Sequence, residues 1–159
     1  MTKLSLWAWA VRAYGREGVE ALCLELQDGY DQNVPYLLWA AWAAAAGRAL
    51  DAETLEMGAE TARVWEDAAI APLRAVRRRL KKPIPDMADA ARETLRAQVK
   101  AAELAGEKLL LEDLETLAPA AGPAPLPAAQ ALVAAAKAWS SVTPRAQLAD
   151  LASKLPEPL

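Results

Sequence analysis

The chain has 159 residues, 54% of them hydrophobic and 25% charged, with a net charge of -3. That length suffices for one core without covalent staples, and the charge balance excludes a global pull toward nucleic acid or an anionic membrane, so an electrostatic partner must use a local patch. There is no histidine and one cysteine, Cys23, which removes Ser-His-Asp and Cys-His nucleophiles, imidazole proton transfer, internal disulfides and zinc or iron–sulfur sites.

Alanine and leucine dominate, phenylalanine is absent and β-branched residues are scarce, so helix is favoured almost everywhere. The first helix is predicted over 4–14, with Leu4, Trp7, Ala8 and Val11 on one face and Leu6, Trp9 and Ala13 on the other. Both faces call for burial. Gly15 can close it, and a second helix begins near Glu17 with Val19, Leu22, Cys23, Leu26 and Tyr30 in one stripe. A turn over 31–33 follows, with Asn33 as N-cap and Pro35 in the first turn of a third helix that carries no charge before Arg48. This helix is expected at the centre of the core.

Asp51 caps a long fourth helix with a seam through Leu55, Gly58, Ala62, Trp65, Ala69, Leu73, Val76 and Leu80, and Pro72 should kink or split it. Asp86, with Asp89 three residues on, is read as the cap of a fifth helix reaching about 117 through Leu95, Val99, Ala102, Leu110 and Leu114. A short turn makes the fourth and fifth antiparallel. Pro119, Pro123, Pro125 and Pro127 mark a semi-rigid linker. Two short helices follow, one through Leu132 and Trp139, the other capped by Thr143 with Pro144 at its first position. The expected organisation is an all-α bundle of about five helices with a long antiparallel pair, as a helical domain over 1–118, a linker over 119–127 and a helical tail over 128–159.

Three stretches, CLELQDGYDQNVPYLLWAAWAA at 23–44, APLRAVRRRLK at 71–81 preceded by Trp65, and VKAAELAGEKLLLEDLE at 99–115, resemble a proteobacterial family of small helical proteins known as a domain of unknown function. The resemblance covers most of 4–117 and implies no activity, substrate or catalytic residue.

Two constellations stand out as candidate sites. Gln27, Asp28, Asp31 and Asn33 gather polar groups between two apolar helices. They read either as a ligand contact or as Asn33 capping while Gln27 and Asp28 satisfy open backbone groups. Their spacing fails the EF-hand pattern, so no metal is expected. Arg74, Arg77, Arg78, Arg79, Lys81 and Lys82 form a basic helix end to which the antiparallel neighbour offers Asp86, Asp89 and Glu93, leaving cations in surplus for a phosphate-bearing ligand, an acidic protein segment or nucleic acid. The aromatic interleaving of single-strand binders is missing.

The six tryptophans, Trp7, Trp9, Trp39, Trp42, Trp65 and Trp139, read mainly as core bulk and alternatively as the wall of an apolar pocket. Cys23 reads as a small buried hydrophobe. No glycine-rich phosphate loop appears, so no cofactor is expected. The leading expectation is a noncatalytic adaptor or regulator binding a protein partner through the basic helix end. A lipid or small-molecule carrier is the alternative, and an enzyme working with carboxylates such as Asp86 and Asp89 the third. The longest uncharged apolar run, 34–46, falls short of the roughly 20 residues a spanning helix needs. A lone thiol, and a weak amino-terminal pattern in which Lys3 precedes an apolar stretch broken by Arg12, point to the cytoplasm.

Overall fold

The most apolar segment of the chain becomes the axis on which the other helices pack. In the computed structural model, which describes residues 4–156, Asn33 Oδ1 accepts the Tyr36 N–H at 3.0 Å and opens a helix at Val34–Ala45. Lys3 and the last three positions of the 128–159 segment lie outside the described residues. In chain order the helices are α1 (Leu6–Tyr14), α2 (Val19–Tyr30), α3 (Val34–Ala45), α4 (Ala52–Trp65), a π-helical turn (Glu66–Ile70), α5 (Ala71–Arg79), α6 (Asp89–Leu117), α7 (Ala128–Trp139) and α8 (Arg145–Lys154). The all-helical class agrees with the sequence; with α4, the π turn and α5 taken as one interrupted helix, the described residues form seven helices, against about five and a short helical tail expected.

Every side chain from Tyr36 through Ala44 on α3 is buried, because α1, α4, α6 and α7 all pack on it. Trp39 lies against Gly58 of α4, where a Cβ would run into its six-membered ring, so the glycine sets how closely these two helices approach. The Tyr36 hydroxyl donates to the Leu55 carbonyl at 2.8 Å and the Trp42 indole N–H to the Leu4 carbonyl at 3.2 Å. One face of α1 is fully covered, with Leu6, Trp9, Ala10 and Ala13 buried; on the other, Leu4 and Trp7 pack at the edge of the core and Val11 is exposed. Its open N-terminus receives a carboxylate from far away, Glu115 Oε1 at 2.8 Å from the Leu6 N–H, an acid favoured at the positive end of a helix.

The long fourth helix is capped as expected, with Asp51 Oδ1 accepting the Thr54 N–H at 2.8 Å. It then departs from the seam. The Ala71 N–H reaches back five residues to the Glu66 carbonyl, a π register just upstream of Pro72, whose ring removes a donor and crowds the preceding turn. One extra residue in the ladder rotates everything beyond it by about 100°. Ile70 becomes buried in place of Ala69, Val76 swings out to 45% exposure, and Arg74 and Arg77 turn toward α6.

Helix α6 returns antiparallel to α4 and α5, as shown by Trp65 with Asp113, Ile70 with Gly106 and Arg77 with Glu103. Its start is corrected. Asp86 is not the cap but sits at φ 65 in the turn, a left-handed position that aspartate tolerates, and Ala88 precedes the first helical residue. The first half of α6 buries little carbon, Leu95 being 44% exposed, and the deep contacts come from Leu110, Leu111 and Leu114.

The segment beyond 118 is packed, not appended. Leu132, Ala135, Ala136, Leu148, Leu151 and Leu155 join the same core as α3. The proline-rich connection crosses the end of α3, where the Gly122 N–H donates to the Gly47 carbonyl, the Leu126 N–H to the Ala44 carbonyl, and Arg48 to the Pro119 carbonyl. Gly47 has φ 68, and a Cβ on either glycine would collide with the opposing backbone. At α8, Pro144 takes the cap position and Arg145 starts the helix, one residue later than the sequence suggested.

Candidate functional site

The two sequence constellations meet in space. Asp28, near the C-terminal end of α2, reaches Arg78 of α5 at 3.0 Å, and a cleft of about 470 Å3 opens between the α2–α3 junction and α5. Gln27, Asp28, Asp31 and Asn33 line one wall; Glu66, Arg74 and Arg78 line the other.

The acids that neutralise the arginines are not Asp86, Asp89 and Glu93. Arg74 pairs with Glu66 at 2.7 Å and lies 3.4 Å from Glu103; Arg77 pairs with Glu103 at 2.5 Å. Asp89 and Glu93, expected beside the basic helix end, are instead held by the buried Arg92 at 3.6 and 3.3 Å. Glu103 is buried, as its two arginine partners require. Its hydrogen bond is the main reason the Arg77 guanidinium is held above its usual pKa. One turn further on, burial pushes the Glu107 carboxyl up to about 7; Glu103 and Glu66 reinforce the shift and Arg74 and Arg77 oppose it. The basic cluster therefore divides. Arg74 and Arg77 are internal, whereas Arg78, Arg79, Lys81 and Lys82 are exposed at the end of α5.

On the opposite wall the structure also redistributes roles. Asn33 caps α3, but Gln27 donates to Asp28 at 3.3 Å and Asp28 serves Arg78, so neither satisfies backbone groups at the junction. That task falls to Gln32, whose Nε2 donates to the Tyr30 carbonyl at 3.2 Å and the Val142 carbonyl at 3.3 Å. Asp31, at φ 52, places Gln32 inward with 3% exposure. Sequence reasoning missed Gln32, since nothing local distinguishes it from the other polar residues of the turn.

Trp139 closes the cleft from α7. Its indole N–H donates to the Asp31 carbonyl at 2.8 Å, its ring centroid lies 5.9 Å from that of Tyr36, and Arg63 stacks on it at 4.8 Å. The other tryptophans are structural: Trp9, Trp39 and Trp42 are buried in the core, Trp7 and Trp65 pack at its edge. Cys23 is likewise buried, and burial raises its thiol to about 12, so it carries no thiolate near neutral pH. Among the described residues no helix is long and apolar enough to cross a membrane, and no group of three or more acids or cysteines is placed to hold a metal ion.

Neither a curated protein nor a solved structure matches the chain. Residues 5–114, which carry both walls of the cleft except Trp139, match the family described as "Protein of unknown function (DUF2390)", and the chain belongs to that family.

Proposed function

We propose that this protein is a noncatalytic helical adaptor or regulator, acting in the cytoplasm, that captures an acidic segment of a protein partner on the cationic end of α5. The observation that supports this reading is the division of the basic cluster. Arg74 and Arg77 pair with Glu66 and Glu103 and hold α5 in place, while Arg79, Lys81 and Lys82 are exposed and make no ion pair among the described residues. Cations gathered at the C-terminal end of a helix are favoured by its dipole when unliganded and remain available to an anionic surface.

The test is charge reversal at positions that leave the interior untouched. Replacing Arg79, Lys81 and Lys82 together with glutamate should abolish binding of a fluorescent polyglutamate peptide and of partners captured from lysate, without moving the melting temperature. Wild-type binding should fall steeply with added salt. Equal binding by the reversed variant would remove the reading. The carrier alternative rested on a Trp-lined apolar pocket; the cleft here is lined by polar and charged side chains with one tryptophan, Trp139, so a carrier reading of it requires a polar ligand.

A further inference from the structure

Gln32 is 97% enclosed by the protein, and its amide orientation is fixed because Nε2 already serves two carbonyls. Its Oε1 is buried with no hydrogen-bond partner among the described residues. A buried acceptor in that state calls for a donor. Beside it, Asp28 and Glu66 each spend one oxygen on an arginine, Oδ1 on Arg78 and Oε1 on Arg74, which leaves Oδ2 and Oε2 as further acceptors. The same cleft holds the two guanidiniums. Arg74 commits Nη1 and Arg78 commits Nη2 to those pairs, and a guanidinium has five N–H groups, so each retains donors for a carboxylate.

Two cations, Arg74 and Arg78, and three anions, Asp28, Asp31 and Glu66, lining one concavity disfavour a simple ion of either sign. An anion drawn to Arg74 and Arg78 would face Asp28 and Glu66, and a cation would meet the reverse. An apolar molecule would strip water from all five charges without replacing it. A dipolar ligand satisfies both sets. The volume of about 470 Å3 suits a small molecule with its nearest waters, and Trp139, fixed by Asp31 and Tyr36, offers a rigid aromatic wall.

We infer that this cleft binds a small zwitterion of the α-amino-acid class, its ammonium held by Gln32 Oε1 with Asp28 and Glu66, its carboxylate by Arg74 and Arg78. This goes beyond capture of an acidic partner and does not depend on it, since Arg79, Lys81 and Lys82 do not line the cleft.

The experiment uses the full chain with the free L-α-amino acids as probes, alongside their N-acetyl forms, which keep only the carboxylate, their methyl esters, which keep only the ammonium, and inorganic phosphate. Melting temperature and tryptophan emission are read at ligand concentrations up to about 10 mM, because a ligand that binds the folded state alone must raise its stability. At least one free amino acid should raise the melting temperature and change the emission, and both capped forms should bind about tenfold more weakly or worse. Asp28→Asn and Arg78→Gln, both at half-exposed positions where folding is not at stake, should each weaken binding by about tenfold. The triple glutamate variant at Arg79, Lys81 and Lys82 should bind the amino acid as wild type does. Absence of any shift with all the free amino acids, equal binding of a capped form or of phosphate, or unchanged affinity in Asp28→Asn would overturn the inference.

Discussion

Around α3 the interior is alanine, leucine and tryptophan; between α5 and α6 it is guanidinium and carboxylate. In the first region stability scales with area removed from water and tolerates no gap, since Trp39 is wholly buried and pressed on Gly58. In the second, Arg74, Arg77 and Glu103 give up hydration, and their mutual contacts return it only while each partner stays in place. The apolar half thus accounts for folding. The charged half adds little net stability but fixes where α5 ends and which of its cations face solvent.

The largest effect should come from stopping the chain after Leu117. That removes Leu132, Leu148, Leu151 and Leu155 from the common core, each worth about 1.5–3 kcal/mol of burial, a sum comparable to the whole stability of a typical domain. Circular dichroism should show loss of cooperative melting. A sharp transition near the wild-type temperature would mean that α7 and α8 are accessory after all.

A smaller loss, about 2–3 kcal/mol, should follow Glu103→Gln, which leaves two inward-facing guanidiniums against a neutral amide. Urea unfolding measures it. A change below about 0.5 kcal/mol would show that the cluster behaves as an exposed pair does and would erase the contrast between the halves.

The third prediction concerns pH. Glu107 has its carboxyl raised from 4.5 to about 7, by burial first and then by Glu103 and Glu66. Between those values the folded chain holds a proton that the unfolded chain has released, so this contribution to stability is complete below 4.5 and is lost as pH rises through about 7. Glu107→Gln, which imitates the protonated form, should match wild type near the lower value and exceed it by about 1–3 kcal/mol above the upper one. Melts across that range check it, and parallel curves for the two proteins would refute it.

Local signals were read well at several points: Asn33 and Asp51 cap the helices assigned to them, and the stripe from Val19 to Leu26 is buried, whereas Asp86 and Thr143 do not take the cap positions given to them. The seam was misread at Ala69 and Val76, though not at Leu80, which is buried, because periodicity assumes one helical repeat throughout and the π turn before Pro72 inserts a residue that no count of spacing reveals. Asp86, Asp89 and Glu93 were likewise the wrong partners to expect for Arg74, Arg77 and Arg78, which pair with Glu66, Glu103 and Asp28. Asp89 and Glu93 are held instead by Arg92, within one helical turn of each.

By itself the sequence determined an all-helical chain with an uncharged helix at its centre and a cationic end on α5, because helix propensity, capping and apolar periodicity act over a few residues. Only the tertiary structure decided that the residues after Leu117 belong to the core, that Arg74 and Arg77 face inward, and that Gln32, Asp28 and Arg78 share one cleft. Each of those outcomes depends on a rotation or contact between elements far apart in the chain, and no local pattern encodes the angle at which two helices meet.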